Sequence, residues 1–261
     1  MNKVIILGSS GEIGSFLSEK LSNTYTIINA SRSKEDSNSH YIDFSDRLLI
    51  DQFITNNINS DIYGIINCYG IQKPIGNFGS INFEDWEKNI IINFQNYSFF
   101  MHRVLNQNLT NLRKVINFSG GGVTGPRKSF SAYAISKAAL YKFTEILAEE
   151  YKNDKIDFNI VAPGSIKSKM TKEIIDTGPE LGDEYSSALK TFNQGGQEKE
   201  NIVKLCRFLL STESDGITGK LIAAQWDNIE EYDLGSLKND KNLFTLRRID
   251  KKFFIEKKDT K

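Results

Sequence analysis

Residues 3–14 read KVIILGSSGEIG, an apolar run that gives way to glycines and then to a helical pattern. Positions 4–7 carry no polar alternation, which is expected of a strand covered on both faces. Gly8, Ser9, Ser10, Gly11 and Gly14 follow, and an amphipathic stretch opens around 13–21. A glycine turn wedged between strand and helix brings backbone close to a pyrophosphate, whose charge then settles on the helix N-terminus. Any tight turn uses glycine. The strand before it and the helix after it are what favour the phosphate reading.

The alternation set by this unit continues along the chain. YTIINA (25–30), HYIDF (40–44), YGIINCYG (63–70), KVINFSG (114–120), FNIVAPG (158–164) and GKLIAAQW (219–226) read as strands. Helical patterns lie between them near 48–56, 83–109, 132–152 and 198–210. Short Val- and Ile-rich strands separated by helices make βαβ units, and right-handed crossovers make a Rossmann-type, doubly wound, mostly parallel α/β sheet with helices on both faces. One such domain is expected over residues 1–226.

Two segments fall outside this repeat. Residues 170–197 are polar and carry Gly178, Gly182, Gly195 and Gly196, the composition of a mobile flap over the carboxyl ends of the strands. Residues 227–261 form a charged C-terminal extension threaded with Leu243, Phe244, Leu246, Ile249, Phe253 and Phe254. That apolar thread favours a strap packed on the body or on a neighbouring subunit over a disordered tail.

Lys plus Arg (33) balances Asp plus Glu (33), which argues against a nucleic-acid binder. Cys68 and Cys206 sit in apolar runs and read as buried thiols, so neither a disulfide framework nor a metal site is expected. The opening strand is too short and too soon broken by glycine for a leader or a membrane helix, and a cytoplasmic location is expected.

Two further motifs carry chemistry. After the second strand comes Asn29-Ala30-Ser31-Arg32-Ser33-Lys34, with no acid until Glu35. An acid here would hold the 2′-hydroxyl of NAD, whereas a hydroxyl residue beside a cation suits the 2′-phosphate of NADP. NADP(H) is therefore expected to be preferred, with NAD(H) a possible partner. Tyr133 and Lys137 stand one helical turn apart, so a cation lies beside a phenol and can bring its pKa toward the working range.

Taken in order, these pieces resemble the short-chain dehydrogenase/reductase family, single-domain type, over about residues 1–226. The resemblance rests on GSSGEIG, Asp43 in YIDFSD, Asn67-Cys68-Tyr69-Gly70, Asn93 in IIINF, Ser119, Tyr133 with Lys137, and Pro163-Gly164 followed by Ile166 and Ser168. It implies that Gly8, Ser10, Gly11, Ile13 and Gly14 cradle the pyrophosphate and that Asp43 faces the adenine. Asn67 and Gly70 would line the floor of the site. Tyr133 would exchange a proton with the substrate, Lys137 would bind the nicotinamide ribose, and Asn93 would hold a relay water. Pro163, Gly164, Ile166 and Ser168 would fix the carboxamide. A homodimer or homotetramer built on the helices near 83–109 and 132–152 is also implied.

Four departures stand out. Leu7 replaces the family's Thr, and the glycine spacing at 8, 11 and 14 is that of the larger epimerase and dehydratase branch, although the chain length and APGSIKSKM oppose that branch. Glu12 sits next to the expected phosphate, which is awkward unless its side chain points away. The family's catalytic Ser falls on Gly120. Ser119, turned forward by a bend at 120–122, is the first candidate for the missing hydroxyl. Thr124 is a second, and the third reading has no side-chain hydroxyl at all.

The resulting expectation is an NADPH-dependent oxidoreductase acting on the carbonyl or alcohol of a small metabolite, sugar-related in one reading. Reduction of a 3-oxoacyl thioester is the alternative. A non-catalytic nucleotide-binding scaffold is the reading from another class.

Overall fold

The computed structural model describes residues 1–33, 39–107 and 109–248. Lys34, Glu35, Ile249, Phe253 and Phe254, which figure in the sequence reading, lie outside the described residues. Seven parallel strands run in the order β3-β2-β1-β4-β5-β6-β7. They are β1 (Lys3–Leu7), β2 (Thr26–Ser31), β3 (Ser39–Tyr41), β4 (Ile62–Asn67), β5 (Lys114–Phe118), β6 (Asp157–Ala162) and β7 (Leu221–Ala223). The strand order reverses at β1, which pairs with β2 on one side and β4 on the other. A crevice opens at such a reversal, outside the carboxyl ends of the strands.

Side-chain alternation along each strand feeds two cores. Ile5 and Leu7 of β1, with Ile62 and Ile65 of β4, belong to one; Val4, Ile6, Tyr63 and Ile66 belong to the other. The first core is covered by α2 (Arg47–Asn57), α4 (Asn96–Leu105) and α5 (Ser131–Glu150). The second is covered by α1 (Glu12–Leu21) and α8 (Lys199–Leu210). The central strands β1 and β4 are almost wholly buried, as strands covered on both faces are.

Two stretches depart from the expected pattern. The helix expected over 83–109 is instead α3 (Phe83–Ile90), a π-helical turn (Ile91–Gln95) and α4. A π turn holds one residue more than an α turn, so apolar periodicity alone does not reveal it. The polar segment expected as a flap contains two helices, α6 (Lys169–Thr177) and α7 (Asp183–Gln194). Gly178, Gly182, Gly195 and Gly196 all take positive φ at the ends of these helices, a backbone that side-chain-bearing residues adopt at a cost.

Beyond β7 the chain forms α9 (Leu234–Asn239) and turns back onto the body. Leu237 is buried, and Phe244 packs against the second core. The buried Lys220 ammonium donates to the carbonyls of Asp240 (2.6 Å) and Leu243 (3.1 Å). The Leu221 N–H donates to Phe244 O at 2.8 Å. Leu246 N–H donates to the Tyr141 hydroxyl at 2.8 Å, and Arg247 pairs with Glu145 at 2.6 Å.

Truncation after Asp227 removes the buried Leu237 and Phe244 and strips the Lys220 ammonium of its acceptors. Burial of two such side chains is worth roughly 1.5–3 kcal/mol each. The melting temperature should therefore drop by roughly 5–15 °C, read by calorimetry. An unchanged melting temperature would mean that these contacts stabilise nothing.

Candidate functional site

The crevice begins at the glycines after β1. Gly8 takes φ +78°, and a Cβ there would stand 3.0 Å from the backbone of Tyr69, just past β4. A Cβ on Gly14 would overlap the Gly8 carbonyl oxygen and lie 2.9 Å from its carbon. Strand, turn and helix thus meet with no room for side chains, as close approach of backbone to a ligand requires. Gly11 precedes α1 as its N-cap, with no side chain capping the helix, and Ile13 packs into the second core. Ser10 is exposed beside them. These residues fit a dinucleotide pyrophosphate. The Glu12 carboxylate turns to the Lys199 ammonium at 2.6 Å, the redirection its position calls for.

The residues expected to meet the adenosine lie at and beyond the ends of β2, β3 and β4. The Ser31 hydroxyl is buried and donates to Ser33 O at 2.6 Å, shaping the turn that exposes Arg32. The Asp43 carboxylate accepts the Ser45 N–H at 2.9 Å. The Tyr69 ring lies 4.8 Å from that of Phe44, and its buried hydroxyl has no hydrogen-bond partner among the described residues. Burial pushes this phenol up to about 12, with Arg32 opposing and Asp43 reinforcing the shift. Tyr69 is thus an unused donor at the groove, and its position in Asn-Cys-Tyr-Gly was the only sequence signal for it.

The floor follows β4. Asn67 accepts the Tyr69 N–H at 3.2 Å and donates to Asn117 at 3.2 Å. A Cβ on Gly70 would stand 3.4 Å from Lys137 Nζ and 3.6 Å from Asn93 Oδ1. Asn93 lies in the π turn, which helps set the aim of its carboxamide. Its Oδ1 accepts the Ile71 N–H, and its Nδ2 donates to Ile71 O, both at 2.8 Å. Nδ2 also reaches Asn89 Oδ1 (2.9 Å) and Ser136 Oγ (3.1 Å). The Asn93 amide clamps the chain beside Gly70, and in this structure its partners are protein atoms.

The wall opposite is the end of β5. The Ser119 N–H still donates to Val161 O at 2.8 Å, so pairing with β6 continues through this residue. The position that faces the tyrosine is Gly120: a Cβ there would overlap Tyr133 Oη and lie 2.5 Å from Cε1. Neighbours on a pleated strand face opposite sides, so Ser119, buried in its own right, is on the far side of the strand from Tyr133. The chain does turn here, at Gly121 and Gly122, but one residue past the position that faces Tyr133. The glycines make room for neighbours: Gly120 lies under Tyr133, a Cβ on Gly121 would stand 3.1 Å from the Arg127 side chain, and Gly122 (φ +99°) lies against Ala134.

Electrostatics at this wall also differ from the expected pairing. Lys137 Nζ donates to Phe118 O at 3.0 Å and Tyr69 O at 3.4 Å, and it stands 5.9 Å from the centre of the Tyr133 ring. Burial lowers the Lys137 ammonium to about 8. Burial raises the Tyr133 phenol, and the charge that opposes the rise is Arg127, not Lys137.

Helices α6 and α7 cover this end of the site. Phe130, Ile174 and Ala188 form a third, separate apolar cluster beneath them. Arg127, 3.7 Å above the Phe130 ring, makes a bidentate pair with Glu184 of α7 at 2.9 and 2.7 Å. Gly164 takes φ +81°, where a Cβ would meet Gln225 at 2.7 Å, and the Pro163 carbonyl accepts from Gln225 at 3.0 Å. Ile166 bridges to Gly196 across the mouth, and Ser168 caps α6 by accepting the Thr171 N–H. A cavity of about 230 Å³ lies between Glu12, Ile166 and Lys199. Arg127, Glu184 and Lys199 carried no motif in the sequence.

The family described as enoyl-(acyl carrier protein) reductase matches residues 36–225. A probable tetrahydroxynaphthalene reductase of Zymoseptoria tritici is 30% identical over 158 residues, 56% of this chain and 58% of that relative, so the chain spans less than two thirds of its length. A 3-oxoacyl-[acyl-carrier-protein] reductase of Aquifex aeolicus is 25% identical over 236 residues, 84% of each chain. Among solved structures, ElxO with NADP bound superimposes with a TM-score of 0.71 at 24% identity, covering 85% of this chain and 96% of that one. With a seven-stranded parallel sheet reversing at β1 and a family match over most of its length, the chain belongs to the short-chain dehydrogenase/reductase family.

Proposed function

We propose that the protein reduces the carbonyl of a small metabolite, or oxidises the corresponding alcohol, with NADP(H). The carrying observation is the convergence of Tyr133, Lys137, Asn93 and Gly70 at the strand reversal, behind a glycine turn with no room for side chains. The bound dinucleotide would supply the hydride. The phenol, kept protonated by burial, is the group suited to give a proton to the developing alkoxide. Lys137 donates to the backbone carbonyls of Phe118 and Tyr69 and would donate to a ribose hydroxyl of the bound dinucleotide. Helices α6 and α7, packed over Phe130, would screen the reacting end from water. Gly120 leaves the proton donor without a serine beside it, so the substrate oxygen relies on Tyr133.

The acyl-thioester class is a second reading for the substrate, favoured by the extended match to the Aquifex aeolicus reductase. Association into a homodimer or homotetramer is supported by Phe83 of α3 and Ile135 and Ile146 of α5, large apolar side chains 58%, 50% and 47% exposed. A panel of small ketones, sugars and 3-oxoacyl thioesters, followed by NADPH absorbance, tests both substrate readings. No oxidation beyond background with any class would leave a nucleotide-binding scaffold in their place.

Cofactor choice turns on Arg32, and a charge-assisted contact to a 2′-phosphate is worth about 1.5–3 kcal/mol. NADPH should bind roughly ten- to a hundredfold more tightly than NADH, and Arg32→Ala should erase most of that gap in fluorescence titrations. Equal affinities in the wild type would refute the preference.

The proton donor is tested by Tyr133→Phe, which should abolish turnover and leave NADPH affinity within about twofold. Lys137→Met should damage both. Because the Lys137 ammonium loses its proton near 8, turnover in the reduction direction should decline as the pH rises through that value. Substantial steady-state activity in Tyr133→Phe would remove Tyr133 from the chemistry.

The geometry at the glycines gives an opposite sign for the two serine positions. Gly120→Ser places a Cβ where the Tyr133 hydroxyl stands, and kcat should fall by roughly tenfold or more. Ser119→Ala, on the other side of the strand, should change kcat by less than about threefold. A rise in activity for Gly120→Ser would mean that Tyr133 yields readily and that the family's hydroxyl is simply missing.

A further inference from the structure

Glu12 is the residue least suited to its place. It occupies the first turn of α1, where an anion bound at the helix N-terminus would meet its carboxylate. Its partner comes from 187 residues away: Lys199, the first residue of α8, whose ammonium stands 2.6 Å from Glu12 Oε1. The same ammonium lies 4.8 Å from the centre of the Phe16 ring on α1, so it bridges α8 to α1 by two contacts. Both charged residues line the cavity beside Ile166 and Gly195, at the α8 side of the crevice.

The start of α8 is itself held in place. Gln225, just past β7, donates to Glu198 O and to Pro163 O, each at 3.0 Å, and accepts from Asn201 at 3.1 Å. Lys199 therefore projects from a fixed helix start, between the glycine turn and the Pro163-Gly164 segment. An unpaired carboxylate at this point would repel a pyrophosphate. A paired one is electrically neutral and leaves the helix N-terminus available.

We propose that Lys199 is a cofactor-site residue that acts through Glu12, neutralising the carboxylate in the glycine turn so that a dinucleotide pyrophosphate can settle on α1. This rests on the dinucleotide reading above. It assigns a binding role to α8 and explains how a glutamate is tolerated in the turn. Lys199 is a positioning residue here, because its partner is Glu12 and not the phosphate.

A two-residue cycle tests it by NADPH affinity, without reference to turnover. Kd is measured by fluorescence at low and high salt for the wild type, Lys199→Met, Glu12→Gln and the double variant, with melting temperatures alongside. Lys199→Met should weaken binding by roughly three- to tenfold at low salt, and the loss should shrink at high salt. Glu12→Gln should tighten binding by about two- to fivefold at low salt. The double variant should return to within about twofold of the wild type, since neither charge then remains. Lys199→Arg should bind as the wild type does.

A double variant as weak as Lys199→Met would overturn the proposal, because the ammonium would then be acting on the phosphate or on the fold directly. Equal affinities in all variants would overturn it too. A wild type that binds neither NADPH nor NADH would instead remove the dinucleotide reading beneath it, a result distinct from binding without coupling.

Discussion

The approach of α1 to the end of β1 is the constraint on which the site depends. Gly14 sits so close to the Gly8 carbonyl that a methyl group at 14 would overlap it, and Gly8 in turn rests against Tyr69 beyond β4. Three elements therefore meet through backbone alone at the point where the strand order reverses. Push them apart by one side chain and the helix N-terminus, the floor at Gly70 and the wall at Gly120 lose their common origin. The two cores on either side of the sheet hold this junction but do not define it, since alternate strand residues serve each core regardless of what lies at the strand ends.

The fold was legible because its signals are local. Apolar runs such as those at 4–7 and 62–66 need only a few residues to declare a doubly buried strand, and the glycines at 8, 11 and 14 are read in one glance. The spacing of Tyr133 and Lys137 on one helix is equally local. What escaped was set by partners distant in sequence. Arg127 and Glu184 are 57 residues apart, Glu12 and Lys199 187 apart, and nothing near either partner marks the pairing. The π turn at 91–95 was hidden because one added residue hardly disturbs an apolar pattern. The polar segment after 168 hid its helices for another reason: α6 and α7 bury only a narrow stripe, Thr171 and Ile174 in one and Ala188 in the other.

The glycine run at 120–122 shows why a residue type can be read correctly and its purpose wrongly. Glycine permits a bend, and a bend was the natural expectation where a serine was missing. Glycine also permits contact, and here each of the three lies against a neighbour: Tyr133, Arg127 and Ala134. The two uses look identical in sequence. They separate only when the direction of the absent Cβ is known, because the neighbour that fills its space is the reason it is absent.

Two lysines at the ends of this part of the molecule show how the fold divides stability from chemistry. Lys114, at the start of β5, is buried but fully partnered, by Asp157 at 2.8 Å, Asp215 at 2.7 Å and Ser214 at 3.0 Å. Charges paired in this way brace the amino ends of β5 and β6, and removing one partner would strand the rest. Lys137, near the other end of β5, is equally buried and has carbonyl oxygens as its acceptors, with no carboxylate among its partners. Its ammonium is correspondingly lowered to about 8 from 10.5. Keeping that charge inside costs roughly 3 kcal/mol relative to a free lysine. The sign follows from the lowered value: the cost is full below about pH 8 and fades as the pH rises toward 10.5. A carboxylate placed beside Lys137 would recover the energy, but it would also occupy the amine and set a negative charge next to Tyr133, where the proposed reduction would develop an alkoxide. The lysine without a carboxylate is thus a cost to the fold, placed where the proposed reaction would use a cation.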